Sequence, residues 1–192
     1  MPRFALLGKS RLSKVLTATL AVSSLAALVW FCRPSRESSC GGSPEVLEMK
    51  DVYMAGRIEK GAQFRMLPGW YSCHPVERGD LVYYSYSDQD EPVVKIARGL
   101  PGDRFETVRD PKRPAWNLKV NEEVIDWDRG GPYFFGTDEP PTLSLYESER
   151  NNVLREGELI LLSNVPPGDA DSARIGLARV QDLVGKVEPL SQ

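Results

Sequence analysis

Histidine occurs once in this 192-residue chain and cysteine three times, with no CxxC pair and no Cys/His ligand spacing. A structural zinc site needs a closed set of such ligands, so no metal and no cofactor are expected. Positive charge is outnumbered outside the N-terminus. The net charge is −3, and the charged residues of positions 1–32 are Arg3, Lys9, Arg11 and Lys14, which leaves −7 for the rest. Nucleic-acid binding depends on neutralising phosphates, so this acidic remainder argues against a nucleic-acid partner. Internal repeats and low-complexity blocks are lacking as well. With 15 prolines and 16 glycines spread along it, the chain favours short strands and turns over long helices.

One long apolar run is present. Val15 to Cys32 carries no charge, and as a helix it would span about 27 Å, close to the thickness of a bilayer's hydrocarbon core. Ser24-Leu25-Ala26 has the small-x-small form of a signal-peptide cleavage site. The apolar run continues through Leu28, Val29, Trp30 and Phe31, which favours a retained transmembrane anchor. The basic segment 1–14 would then stay in the cytoplasm and the domain would face outward, although Arg33 and Arg36 weaken the asymmetry. Residues 33–50 are polar and rich in Ser and Gly and read as a linker. Cys40 and Cys73 could pair in an oxidising compartment or remain thiols.

From position 51 to 192 the pattern is that of one mainly β domain. Leu81–Tyr84 follows the turn residues Arg78-Gly79-Asp80. Val93–Ala97 runs into Gly99-Leu100-Pro101-Gly102-Asp103, a turn sequence. Leu118–Val120 and Val124-Ile125 flank Asn121-Glu122-Glu123 as a hairpin, and Leu159–Leu162 and Val184–Val187 read as later strands. Residues 126–152 are charged and broken by prolines, Pro140-Pro141 among them, and are expected to form an exposed insertion or flap.

Four boxes in order, behind an N-terminal anchor, resemble bacterial type I signal peptidases, including their conjugation-type relatives. The segment VVKIARGLPGD places Lys95 on the strand that carries the catalytic lysine of that family. Arg78-Gly79-Asp80-Leu81-Val82 resembles the strand before it, and LKVNEEVID the hairpin after it. GDADSARIGLARVQDLVGKV resembles the last box, with Asp171, Ser172, Gly176, Gly185 and Lys186 in register. The likeness runs from about Gly61 to Leu190. It implies a signal-peptidase-like β domain behind one transmembrane helix, single-pass in the bacterial inner membrane with the domain in the periplasm. Its general base would be Lys95.

The departures fall on the chemistry. The family's nucleophile box reads S-M-x-P, or S-x-P-x-G in the conjugation-type relatives. Within Phe64–Tyr71 that position holds Arg65 or Met66, depending on the register, and neither can attack a carbonyl. Ser72 in Ser72-Cys73-His74-Pro75 is an alternative nucleophile, against the bland reading of a surface loop. A Cys73–His74 dyad is disfavoured, because neighbours in an extended chain face opposite ways. Trp70 and Tyr71 could line a groove or sit in the core. Asp169 stands where the family has the serine that orients the lysine, and Ala173 where it has an arginine, with Arg174 displaced by one. An ionic cluster of Arg65, Asp169 and Lys95 is therefore expected, with the lysine held charged and useless as a base.

Three readings follow. One is a non-catalytic signal-peptidase-like protein that binds an extended peptide or acts as an assembly subunit of an envelope complex such as a conjugation apparatus. Another is an active endopeptidase cleaving exported precursors. The third, an unrelated anchored β domain, is disfavoured by the order of the boxes.

Overall fold

Strand β4, Val93–Gly99, is buried along almost its whole length, which is why it reads as an unbroken apolar run rather than an alternating one. In the computed structural model, which describes residues 41–86, 91–136 and 139–190, it lies within a seven-stranded antiparallel sheet. Across that sheet the order is β1 (Glu45–Glu48), β2 (Gln63–Pro68), β11 (Leu183–Pro189), β3 (Leu81–Tyr84), β4, β9 (Glu158–Leu162) and β10 (Ala178–Arg179). A second sheet consists of β5 (Phe105–Arg109), β6 (Trp116–Val120) and β7 (Glu123–Val124), with β8 (Phe134–Phe135) also paired to β6. Among the described residues the α-helices are two short ones, α1 (Leu145–Arg150) and α2 (Ser172–Ile175). The mainly β architecture, the strands at 81–84 and 93–99 and the two late strands agree with the sequence reading.

Three apolar clusters hold these layers. Met49, Met54, Ile58, Phe64, Met66, Val94 and Ile96 form one, and Val82, Tyr84, Ala97, Leu159 and Leu161 another. The third joins Phe105, Leu118 and Val120 of the small sheet to Ile160 and Leu162 of β9. The hairpin between β6 and β7 is tighter than the sequence suggested. Its loop is Asn121-Glu122 alone, at φ 51° and 70°, with Val120 paired to Glu123. Two successive left-handed residues are what a two-residue turn needs to follow the strands' twist.

Gly99-Leu100-Pro101-Gly102-Asp103 is a structural turn. Asp103 accepts from the Leu100 N–H at 2.6 Å, from Arg78 at 2.7 and 2.8 Å and from Asn121 Nδ2 at 2.7 Å. Burial opposes its charge, but these donors outweigh that and hold the carboxyl below its ordinary range. The carboxylate thus ties β3, the end of β4 and the hairpin together.

Two expectations change. Glu45–Glu48, assigned to the linker, pairs with β2 as an edge strand. Its side chains are mostly exposed, Val46 among them, so no burial pattern marks it in the sequence. Residues 126–152 are largely solvent-facing, as expected of an insertion, but are anchored in the core. Tyr133, Phe135 and Leu143 are buried within the cluster around Phe105 and Leu118. The prolines interrupt strand ladders but do not prevent the side chains between them from packing. The apolar run Val15–Cys32 lies outside the described residues, and no helix among the described residues is long and apolar enough to cross a membrane.

Leu143 tests the revised role of the 126–152 segment. Leu143→Ala is expected to cost about 2–5 kcal/mol in urea unfolding, the usual range for a fully buried leucine. A change near zero would return the segment to the periphery.

Candidate active site

Lys95 leaves β4 into the interior, only 1% exposed. Its strand neighbour Ile96 pairs with Leu162 of β9, so the residue after that strand, Ser163, comes level with it. Lys95 Nζ donates to Ser163 Oγ across 3.0 Å. The side chain of Ser163 and the backbone of Gly168 in turn interact with the Tyr133 phenol. Tyr133 donates to Asp171 Oδ2 at 2.7 Å. Asp171 also caps α2, accepting from the Ala173 N–H at 3.1 Å. Lys95, Ser163, Tyr133 and Asp171 therefore form one buried hydrogen-bond chain drawn from four parts of the sequence. Gly168 makes room for it, because a Cβ there would fall inside 3.0 Å of oxygens of Asp171, Ser163 and Tyr133.

Burial dominates the electrostatics of this chain. It pushes Lys95 below the ordinary lysine value, even though Asp171, Asp51 and Asp169 pull the other way. It pushes Asp171 above the ordinary carboxyl range against Tyr133, Lys95 and the helix N–H groups, and it raises the Tyr133 phenol. Desolvation thus favours the neutral form at each position.

The sequence-predicted site residues divide sharply. Lys95 and Asp171 are in the chain just described. Ser172 is buried, but its hydroxyl accepts from the Leu161 N–H at 2.9 Å and so secures β9. Asp169 points outward and pairs with Arg174. Ala170, between the two aspartates, takes φ 46°. Arg65 and Met66 sit on β2, whose alternation sends Phe64 and Met66 into the core and Gln63 and Arg65 out. Arg65 faces Glu188 across the ladder and pairs with it at 3.2 Å. The expected Arg65–Asp169–Lys95 cluster does not form, since both proposed partners are engaged at the surface. Ser72 lies in a 3-10 turn and is exposed, with no hydrogen bond to Lys95. Cys73 is disulfide-bonded, so no Cys73–His74 dyad exists, and His74 stacks on Trp70 with ring centroids 3.9 Å apart. Cys40 lies outside the described residues. Trp70 and Tyr71 are partly buried, Tyr71 donating to Asp80 at 3.1 Å.

The residue that stands at Lys95 from outside the hydrogen-bond chain is Tyr53. Nζ lies 5.8 Å from its ring centroid. Residues 49–62 are held against the sheet by buried Met49, Met54 and Ile58, and the Tyr53 carbonyl accepts from both Asn164 and Val165 N–H at 2.9 Å. Laid against the pattern S-M-x-P-T-x-x-x-G-D, this stretch puts Tyr53 at the serine, Met54 at the methionine and Gly61 at the glycine, with Gly56, Arg57 and Ala62 as departures. A nucleophile box in this register would lie one strand earlier than Arg65 and Met66, at the residue that stands beside Lys95. The Met54–Gly61 spacing was the available signal, masked by the tyrosine in front of it. Ser163 and Tyr133 carried no such signal.

Tyr53 also lines a cleft of about 330 Å³, with Phe135, Pro141, Pro167 and Ala173 as apolar walls and Asp169 and Arg174 among its polar residues. Lys95 is not part of its lining. No three of His, Cys, Asp and Glu converge as metal ligands among the described residues.

Two measurements check the buried chain. Tyr133→Phe removes the donor to Asp171 and should cost about 1–3 kcal/mol in unfolding free energy; a neutral result would mean that Asp171 does not depend on it. Between the lowered value of Lys95 and the ordinary 10.5, the folded protein binds fewer protons than the unfolded chain, so Lys95 makes stability rise with pH across that window. Lys95→Met should abolish this rise, read from urea unfolding between neutral pH and about pH 10. The same slope in both proteins would overturn the assignment.

Comparison with known proteins bears on what such a site belongs to. A search of curated proteins finds no match. Among solved structures, the crystal structure of a signal peptidase I from Enterococcus faecalis V583 is similar, with 22% identity, 62% of this chain and 98% of that chain covered, and a TM-score of 0.40. The sequence pattern that defines the family described as signal peptidase, peptidase S26, matches residues 11–190. With nearly its whole length matched, the chain belongs to the signal peptidase family.

Proposed function

We propose that this chain is a membrane-anchored, non-catalytic member of the signal peptidase family that holds an extended peptide segment at the outer face of the bacterial inner membrane, as a binding or assembly subunit of an envelope complex. The observation that carries this reading is Tyr53 at Lys95, where a peptidase of this type needs a small nucleophile. A phenol is a poor nucleophile toward an amide, and its ring occupies the approach to the base. The cleft beside it has the apolar walls and few polar groups of a ligand site. The uncharged run Val15–Cys32, behind a basic segment, supports the anchor and its orientation.

An active endopeptidase is the second reading, and one observation favours it. Ser163 Oγ lies 3.0 Å from a lysine whose burial favours the neutral amine, the pairing a serine/lysine mechanism uses. Against it, Ser163 is fully buried and does not line the cleft. In that arrangement the serine contacts the amine and does not present itself to substrate.

A labelled signal-peptide segment incubated with the full chain in detergent separates the two. Binding is expected, with no cleavage above that of Lys95→Ala. Cleavage by the wild type that is lost in both Lys95→Ala and Ser163→Ala would replace the first reading with the second.

A further inference from the structure

The site holds a base with nothing to act on, and its geometry says what stands in the way. Lys95 Nζ gives an N–H to Ser163. Tyr53 stands near that nitrogen, 5.8 Å from its ring centroid, and also lines the cleft, whereas Lys95 is 1% exposed and does not line it. The ring therefore separates the amine from the space a ligand would enter. The residues behind the lysine are intact: a hydroxyl to orient it, and a phenol and a carboxyl to satisfy that hydroxyl.

We propose that Tyr53 alone keeps this site from acting as a peptidase, by filling the place of the nucleophile over a lysine that is still positioned as a general base. This rests on the non-catalytic reading above. Its consequence is that the substitution Tyr53→Ser completes the machinery. The hydroxyl oxygen introduced there would attack the peptide carbonyl as its proton passes to Lys95 Nζ. The C–N bond then breaks, with the leaving amine taking that proton from Lys95. Water, deprotonated by the same lysine amine, hydrolyses the acyl ester and restores the hydroxyl. No oxidant, metal or further reactant is needed. Arg65 is paired with Glu188 at the surface, and burial outweighs the pull of Asp169 toward a charged amine.

The test reads the amine first and the reaction second. Full-length protein in detergent is treated with formaldehyde and borohydride, and methylation of Lys95 is followed by peptide mass spectrometry, with exposed Lys112 as the internal reference. Tyr53→Ala should raise the Lys95 rate by about tenfold or more, the effect of removing a shield over a buried group, while Tyr53→Phe, which keeps the ring, should not. Tyr53→Leu serves in place of Tyr53→Ala if the latter unfolds. Equal Lys95 rates in all variants would overturn the shielding claim. Tyr53→Ser should then cleave a signal-peptide segment about 10²-fold or more faster than the double variant Tyr53→Ser, Lys95→Ala, the usual contribution of a general base. A folded Tyr53→Ser protein with a reactive Lys95 and no cleavage would overturn the claim that Tyr53 alone is the block. Cleavage by the wild type would sink the non-catalytic reading instead, so the two failures are told apart.

Discussion

A lysine placed inside a β-sheet imposes conditions on everything around it. The effective cost of burying an unpaired ammonium is several kcal/mol, so Lys95 must be neutral, hydrogen-bonded or both. The structure meets this with one continuous chain from Lys95 through Ser163 and Tyr133 to Asp171. Each member satisfies the next, and burial drives the amine and the carboxyl toward their uncharged forms. A half-satisfied network at this depth would be worse than an apolar core, which explains why Gly168 passes so close that no side chain could be added.

The same chain shows how a family site tolerates replacement of its parts. Where the family pattern carries a serine to orient the lysine, this protein has Asp169 at the surface and draws the hydroxyl from Ser163 instead. Where the pattern carries an arginine near Asp171, this protein has Ala173, and Tyr133 supplies the partner for the carboxyl. Both substitutes exchange a residue of the last box for one from elsewhere in the chain. The second exchange also replaces an ionic partner with a neutral one, in keeping with an interior that disfavours charge.

Much of the strand framework was legible because its physical signals are local. Val93–Gly99 is an apolar run ended by a Gly-Pro turn, and Leu159–Leu162 has the same character. The edge strand Glu45–Glu48 was not legible, because it is largely solvated and owes its form to the backbone of β2. The 126–152 segment misled for a related reason. Its prolines and charges describe its backbone and its outer face, while Tyr133, Phe135 and Leu143 are buried by contacts with residues far away in sequence.

Sequence by itself determined the family and the mainly β class and singled out Lys95, because these rest on short motifs and periodicities that any local window contains. Only the tertiary structure decided the state of that lysine and its neighbours. Arg65 and Asp169 looked like its partners by position in the motifs, yet the two-residue period of β2 turns Arg65 to solvent and Asp169 finds Arg174. Tyr53, Ser163 and Tyr133 come from three separate segments and meet only when β4, β9 and the 49–62 loop pack together. The balance between charge attraction and desolvation depends on how much protein surrounds the amine. Burial is a property of the folded whole, and no pair of motif residues encodes it.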